Sequence, residues 1–305
     1  MTSEVPRQEV PEAKIKRPGV LAKPTVSALW ELSHKFLKPR VEDPQGHLGE
    51  AKKHLAQGKP LIVFINHSTI FLDPNRVGHV IEDNLTSLDN VGTIIAISQF
   101  DPQKGYVTPE GSLREKLKAD FIQKVRKTQY WIIDNASKTK GFKLVTVIRE
   151  KDRTNYGDRY SKPGPATNDL TPELFNRASY RSALEFIKGR GKVFMLAPEG
   201  GVNQDGVLTK AEEGLGDLLR IGRKDGIKAM GIALTPTAYR GGSARPTRLY
   251  SYEEAMELKA SLQEKVGQER QVSLSDALMT PLAAHVPSQY QGYYKPLVEA
   301  ARPLA

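Results

Sequence analysis

The sequence predicts an α/β fold, and two observations lead to this prediction. Short apolar segments of strand length alternate along the chain with longer segments in which apolar residues recur at helical spacing. The chain also has 305 residues, of which 39% are hydrophobic. One large domain or two modest ones can therefore bury a substantial core.

The expected strands are short apolar runs, and most of the segments between them have the periodicity of amphipathic helices. We predict strands at residues 61–66, 92–98, 130–133, 192–196 and 229–235. We predict helices at residues 46–57, 74–85, 112–128, 171–188, 210–222, 252–266 and 273–285. Residues 154–168 are rich in glycine and proline, which is typical of a long loop.

The two ends of the chain differ from its centre. Residues 1–24 contain four prolines and no apolar core segment, so we expect a flexible basic arm there. The alternation of strands and helices indicates a single α/β domain over residues 25–250. We interpret residues 251–305 as a helical extension that packs on this domain.

Positive charge is concentrated in one part of the chain. The sequence holds 45 Lys and Arg against 35 Asp and Glu, a net charge of +10, and the stretch from Lys104 to Lys162 contains fifteen basic and only seven acidic residues. Such a surface attracts nucleic acid, an anionic membrane, a phosphorylated substrate or an acidic protein. Within it, residues 112–128 form a basic amphipathic pattern. This pattern fits a core-packed helix with a solvated basic face, and it also fits a helix that lies on a membrane or a partner.

Composition excludes several classes of protein. The chain contains no cysteine, which rules out disulfides, cysteine-ligated zinc and a cysteine nucleophile. Its longest apolar run, residues 61–65, is far shorter than the roughly 20 residues that cross a bilayer. The first forty residues fit neither a signal peptide nor a transit peptide. We therefore expect a cytoplasmic protein without a transmembrane segment.

His67 is the strongest candidate for catalysis. It follows the apolar run 61–65 almost directly, at the edge where open α/β sheets place their ligands. Asp73 stands six residues later, before Pro74, and a turn between them would bring the carboxylate to the imidazole. A carboxylate that fixes the imidazole tautomer makes histidine an effective general base. Asp73 is equally suited to cap the helix that starts at Pro74, and a hydrogen-bonded histidine at a strand end is the more ordinary role for His67.

A second candidate site follows the strand predicted at 192–196. The sequence there is Ala197-Pro198-Glu199-Gly200-Gly201. Glycine accepts positive φ and lets backbone N–H groups approach a ligand closely. An ordinary tight turn would use the same residues. A third segment, Leu234-Thr235-Pro236, ends the strand predicted at 229–235 and is uninformative by itself.

Taken together, these segments resemble the glycerol-phosphate and lysophosphatidate acyltransferase family. The resemblance covers roughly residues 59–240 and rests on three motifs in the family's order, namely Asn66-His67 followed by Asp73, the Glu199 turn, and Leu234-Thr235-Pro236. The first motif is most similar to the soluble, plastid-type glycerol-3-phosphate acyltransferases, where an Asn-His pair precedes an Asp-Pro.

Two features depart from the family pattern. Five residues separate His67 from Asp73, whereas the family has four, so the loop must bulge by one residue to form the pair. The family's second motif ends in a phosphate-binding arginine, which is absent after Asp134. Basic residues that follow are candidates to replace it, and we select Lys138, Lys140, Arg149 and Arg153.

The resemblance implies a central mixed β-sheet flanked by helices and a glycerolipid O-acyltransferase. A fatty acyl group would pass from acyl-CoA or acyl-carrier protein to a hydroxyl of glycerol-3-phosphate or a lysophosphatidate-like acceptor. His67 would act as the base and Asp73 would orient it, without a covalent intermediate. The residues that would bind substrate are Asn66, Glu199, Gly200 and Gly201, with the basic candidates holding the phosphate.

This mechanism requires no metal or other cofactor, and the sequence shows no His-x-x-x-His pattern. The basic stretch between Lys104 and Lys162 could also meet acyl-carrier protein or an anionic membrane surface, where the protein would be peripheral. We expect no nucleic-acid partner, because no recognised motif accompanies the charge. The alternative function is an acyltransferase-like protein of impaired activity, which binds anionic lipid or acyl-carrier protein without turnover.

Overall fold

The protein folds around a seven-stranded mixed β-sheet flanked by helices. The structure is a computed structural model, and it describes residues 23–66, 73–96, 135, 137–148, 153, 162–163, 169–200, 206–235, 242–268 and 270–302. In this part of the chain no helix is both long and apolar enough to cross a membrane.

The helices and strands alternate as the sequence predicts for an α/β fold. The helices are α1 (Lys23–Leu37), α2 (His47–Ala56), α3 (Asp73–Asn84), α4 (Pro172–Ile187), α5 (Gly214–Gly222), α6 (Tyr252–Val266), α7 (Leu274–Ala284) and α8 (Lys295–Ala301). The strands are β1 (Arg40–Val41), β2 (Leu61–Ile65), β3 (Val91–Ala96), β4 (Lys143–Val147), β5 (Val193–Leu196), β6 (Lys228–Leu234) and β7 (Ser243–Tyr250).

Strand β2 lies at the centre of the sheet, whose strand order is β1-β7-β6-β2-β5-β3-β4. It runs parallel to both of its neighbours, with Phe64 opposite Leu196 of β5 and Ile65 opposite Ile232 of β6. All five residues of β2 are buried. A strand covered on both faces has to be apolar throughout, which explains why it is a continuous hydrophobic run in the sequence. Strand β7 pairs antiparallel with β6, so the sheet is mixed.

Most of the predicted elements that fall within the described residues are confirmed. Four predicted strands correspond to β2, β3, β5 and β6, and the helices predicted at 46–57, 74–85, 171–188, 252–266 and 273–285 correspond to α2, α3, α4, α6 and α7. The strand at 130–133 and the helix at 112–128 lie outside the described residues, as does nearly all of the loop at 154–168.

The sequence reading missed some elements and misplaced one boundary. Strand β7 was not predicted, because it contains Pro246, which has no N–H to donate to the sheet. Helix α1 begins at Lys23, within the predicted flexible arm, of which residues 1–22 lie outside the described chain. The helix predicted to start at Lys210 begins instead at Gly214, and the residues before it are held by long-range hydrogen bonds such as that from the N–H of Ala211 to Tyr294.

The described residues belong to two compact units. The smaller unit contains Val145–Val147 of β4 and Pro172–Ala183 of α4. Within it, the side-chain amide of Asn176 exchanges two hydrogen bonds of 2.7 Å with the backbone of Ile148. The larger unit contains the described residues within 23–94, 135–144 and 184–302, and with them most of the sheet and the C-terminal helices. The domain boundaries at 24/25 and 250/251 stay predictions.

A buried histidine joins α1 to α3 in the larger unit. His79 is fully buried, and its Nε2 lies 2.9 Å from Ser33 Oγ. Because the Ser33 hydroxyl donates to the Trp30 carbonyl at 2.8 Å, it accepts the N–H of His79, whose Nδ1 has no partner in the described structure. Burial lowers the pKa of His79 to about 4, and nearby His34 adds to this effect.

We expect this contact to weaken in acid. The neutral form of His79 contributes fully to stability above pH 6.5, and its contribution falls as the pH drops from 6.5 towards 4. Between pH 7 and pH 5, the free energy of unfolding of His79→Leu should fall by about 1 to 2 kcal/mol less than that of the wild-type protein, measured by urea denaturation. Ser33→Ala is the control, because it removes the hydrogen bond but no titrating group. An unchanged pH dependence in His79→Leu would contradict the assignment.

Candidate functional site

Three neighbouring strands end at one edge of the sheet, in the larger unit. Strands β6, β2 and β5 are adjacent and parallel, so their carboxyl ends lie side by side. Asn66 follows β2, the Glu199 turn follows β5, and Thr235 follows β6. Open α/β sheets place their ligands at this edge. The structure thus brings the described parts of the three sequence motifs to one place in the fold.

Asn66 ties the end of β2 to the end of β6. Its Nδ2 donates to the carbonyl of Leu234 at 2.8 Å, and its Oδ1 accepts from the N–H of the same residue at 2.6 Å. Asn66 is only 1% exposed, so both bonds are shielded from water. The side-chain amide of asparagine carries a donor and an acceptor, which lets one residue satisfy both groups of a peptide backbone. We predicted that Asn66 binds substrate, and its observed contacts are structural.

Asp73 is the first residue of α3 and is fully buried. Its Oδ1 accepts a hydrogen bond of 3.2 Å from Nη1 of Arg76, one helical turn later, which is itself 2% exposed. Both terminal nitrogens of Arg76 also donate to the carbonyl of Thr235, at 3.3 Å each. Burial lowers the pKa of Arg76, and the carboxylate of Asp73 raises it. The sequence reading missed Arg76, although an Arg three residues after an Asp is a known helical pairing.

The pairing of His67 with Asp73 stays a prediction, because His67 lies outside the described residues. Asp73 itself is the first residue of α3, and Arg76 links it to Thr235 at the carboxyl end of β6. Its ion pair with Arg76 is an additional feature that neither sequence interpretation of Asp73 included. Asp73 is therefore both the ion-pair partner of Arg76 and the first residue of α3.

The turn after β5 is tight and internally bonded. Gly200 has φ of +63°, and its N–H donates to the carbonyl of Ala197 at 3.1 Å. This positive φ favours glycine, and a Cβ on Gly200 would also require the end of the Glu212 side chain to move. Glu199 is only 8% exposed and accepts a hydrogen bond of 2.7 Å from the N–H of Thr209. Gly201 lies outside the described residues.

The C-terminal segment holds the chain that follows this turn. Leu208 donates its N–H to the carbonyl of Tyr290 and accepts from the N–H of Tyr293. The hydroxyl of Tyr294 accepts from the N–H of Ala211 at 2.8 Å and donates to Asp276 at 3.1 Å. Tyr294 is fully buried, and burial raises the pKa of its hydroxyl. The segment that carries Thr209, the partner of Glu199, is therefore anchored by residues about 80 positions later.

The basic residues selected for phosphate binding have different surroundings. Lys140 lies 3.6 Å from a carboxylate oxygen of Glu82 and 5.9 Å from the ring centroid of Trp30. Because Glu82 follows Asp73 by nine residues, the partner of Lys140 is displaced by about 13 Å along α3. Lys138 is exposed. In the smaller unit, Arg153 forms an ion pair with Glu173. Arg149 lies outside the described residues.

Among the described residues, no three histidine, aspartate or glutamate side chains are grouped closely enough to hold a metal ion. Comparisons with known proteins add no assignment to this site. No protein-family model matches the chain, and a search of curated proteins found no significant match. The chemistry of the site has to be argued from its own residues.

We expect the Asn66 hydrogen bonds to contribute strongly to stability. Asn66→Ala leaves the N–H and carbonyl of Leu234 without these partners in a site closed to water. This change should lower the free energy of unfolding by about 2 to 4 kcal/mol, measured by urea denaturation. Asn84→Ala is the control, because Asn84 makes one amide hydrogen bond, to the carbonyl of Val80, in a partly buried position. A loss for Asn66→Ala no greater than the control's loss would show that the two bonds are not needed.

Proposed function

We propose that this protein is a glycerolipid O-acyltransferase with a glycerolipid-acyltransferase-like fold. It transfers a fatty acyl group from acyl-CoA or acyl-carrier protein to a hydroxyl of glycerol-3-phosphate or a lysophosphatidate-like acceptor. One observation carries the proposal. The residues that resemble the acyltransferase motifs follow β2, β5 and β6, whose carboxyl ends are adjacent in the sheet.

The proposed reaction is a direct transfer. His67 takes the proton of the acceptor hydroxyl, and the oxygen attacks the thioester carbonyl. The C–S bond then breaks, and the departing sulfur receives the proton from His67. Asp73 holds the imidazole in the tautomer that accepts the proton and stabilises the cation that forms. General-base assistance of this kind contributes about 10²- to 10⁴-fold in rate.

The turn after β5 shapes the proposed acceptor site. Glu199 and Gly200 are held in place by Thr209, Ala197 and the C-terminal segment, so this wall of the site is preorganised. Gly201, the next residue in the sequence, and Asn66, which fixes the ends of β2 and β6, complete the proposed set of substrate-binding residues. An exposed lysine such as Lys138 is suited to hold the acceptor phosphate.

The partners of the proposed enzyme follow from its charge. The net charge of +10 favours anionic donors, and acyl-carrier protein and the phosphates of CoA are both anionic. The same charge favours a peripheral position at an anionic membrane, where lysophosphatidate acceptors reside. The reaction is proposed to use no metal or other cofactor, and to take place in the cytoplasm or at a membrane surface.

One observation favours a second candidate function. The buried carboxylate of Asp73 already has a charged partner in Arg76, so its burial does not by itself require a catalytic histidine. With the extra residue before Asp73, the same scaffold could bind an anionic lipid or acyl-carrier protein without turnover. The first function forms product and requires His67 for it, whereas the second function forms no product.

We expect His67→Ala to abolish acyl transfer to glycerol-3-phosphate and lysophosphatidate. The loss should be at least about 10²-fold in kcat, because the general base is removed. Product formation is measured by release of free thiol from acyl-CoA, and the fold is checked by circular dichroism. His47→Ala is the control, since His47 lies on α2 and hydrogen-bonds to Gln45. Full activity in His67→Ala would exclude the proposed mechanism.

A further inference from the structure

Asp73 and Arg76 form an ion pair that is almost completely withdrawn from water. Asp73 is fully buried, and Arg76 is 2% exposed. Moving both charges out of water is unfavourable, and buried ion pairs of this kind are often no more stabilising than apolar residues of the same size. The pair is therefore poorly explained by stability, and its position at the edge of the sheet points to a role in the site.

The guanidinium of Arg76 links two elements of the candidate site. It donates to Oδ1 of Asp73 at the start of α3 and to the carbonyl of Thr235 at the end of β6. Asn66 already ties the end of β2 to Leu234, the residue before Thr235. Asp73 is thus held against the same segment of β6 that fixes the residue preceding His67. Asn66 and Asp73 are thus both linked to neighbouring backbone groups at the end of β6, Asn66 directly and Asp73 through Arg76.

The charge of Arg76 also favours the ionised form of Asp73, because the two groups are in hydrogen-bond contact. A carboxyl group buried without a counter-ion takes up a proton, because burial disfavours its charged form. A cation in hydrogen-bond contact favours the carboxylate. The proposed base needs this carboxylate, since a neutral carboxyl group would not stabilise the imidazolium that forms when His67 takes a proton.

We propose that Arg76 is a positioning residue for the proposed reaction, which keeps Asp73 ionised and holds it beside the carbonyl of Thr235 at the end of β6. This inference rests on the proposed acyltransferase function for its catalytic part. Its electrostatic part concerns only Asp73 and Arg76. His67 is the other titratable residue that the proposed function brings to Asp73. The two parts are tested separately, so that failure of one is distinguishable from failure of the other.

The electrostatic part is tested by NMR titration of the Asp73 carboxyl carbon, assigned from its absence in Asp73→Asn. In the wild-type protein Asp73 should remain ionised from pH 8 down to pH 5. In Arg76→Met its midpoint should rise by at least one pH unit, and Arg76→Lys should restore the wild-type behaviour. Arg220→Met is the matched control, because Arg220 forms the same type of pair with Asp217, three residues apart, on the surface of α5.

Two results would overturn the electrostatic part. One is an unchanged Asp73 titration in a folded Arg76→Met protein. The other is titration of Asp73 between pH 5 and pH 8 in the wild-type protein, which stays measurable even if Arg76→Met does not fold. Neither result depends on whether the protein has acyltransferase activity.

The catalytic part is tested by comparing kcat and KM in single and double variants. Arg76→Met should lower kcat about 10- to 100-fold, as Asp73→Asn does, with little change in KM for the acceptor. The double variant should be no slower than either single variant, because both changes remove the same ionised carboxylate. Independent, multiplying losses would contradict the proposed role of Arg76. Absence of activity in the wild-type protein would count against the proposed function and leave the titration to decide on Arg76.

Discussion

The pair of hydrogen bonds between Asn66 and Leu234 is the contact on which the rest of the site depends. Strands β2 and β6 are parallel neighbours, but their hydrogen-bonded register ends at Ile65 and Ile232. Beyond that point, the amide of Asn66 takes over the pairing, and it is almost inaccessible to water. Asn66, the residue that follows β2, is therefore held in a fixed position. An aliphatic residue of similar size could fill the space but could not satisfy the backbone of Leu234.

Three other buried side chains of the site are likewise paired with backbone groups. Arg76 binds the carbonyl of Thr235, and Glu199 binds the N–H of Thr209. The hydroxyl of Tyr294 then supports this segment through the N–H of Ala211. Such contacts hold residues that follow the strands at this edge of the sheet, outside its apolar core. The result is a set of segments whose positions are determined before any ligand binds, which is the condition for an efficient catalytic or binding site.

The general fold was predictable from the sequence because its signals are local. A strand buried on both faces must be apolar throughout, so β2 and β5 stand out as short hydrophobic runs. The helices α6 and α7 begin with capping boxes, at Ser251 and Ser273, that are complete within four residues. By contrast, β7 acquires its pairing with β6 despite Pro246, and that pairing depends on a partner elsewhere in the chain.

The candidate site was predictable only in part, because its contacts connect distant residues. The order of the motifs indicated that Asn66, Asp73 and Glu199 would approach one sheet edge, but their partners are not visible in any sequence window. The bond from Ala211 to Tyr294 spans 83 residues, and that from Arg76 to Thr235 spans 159. The same limit applies to Lys140, which was selected for phosphate and which lies beside Glu82 and Trp30 in the structure.

The central claim is that this sheet edge transfers acyl groups rather than only binding them. It is tested most directly by a matrix of purified wild-type protein with acyl-CoA or acyl-carrier protein as donor and glycerol-3-phosphate or lysophosphatidate as acceptor. Acylated product is measured by mass spectrometry. The account predicts product in at least one combination, saturating with both substrates. Saturable binding of the same ligands with no product in any combination would contradict it.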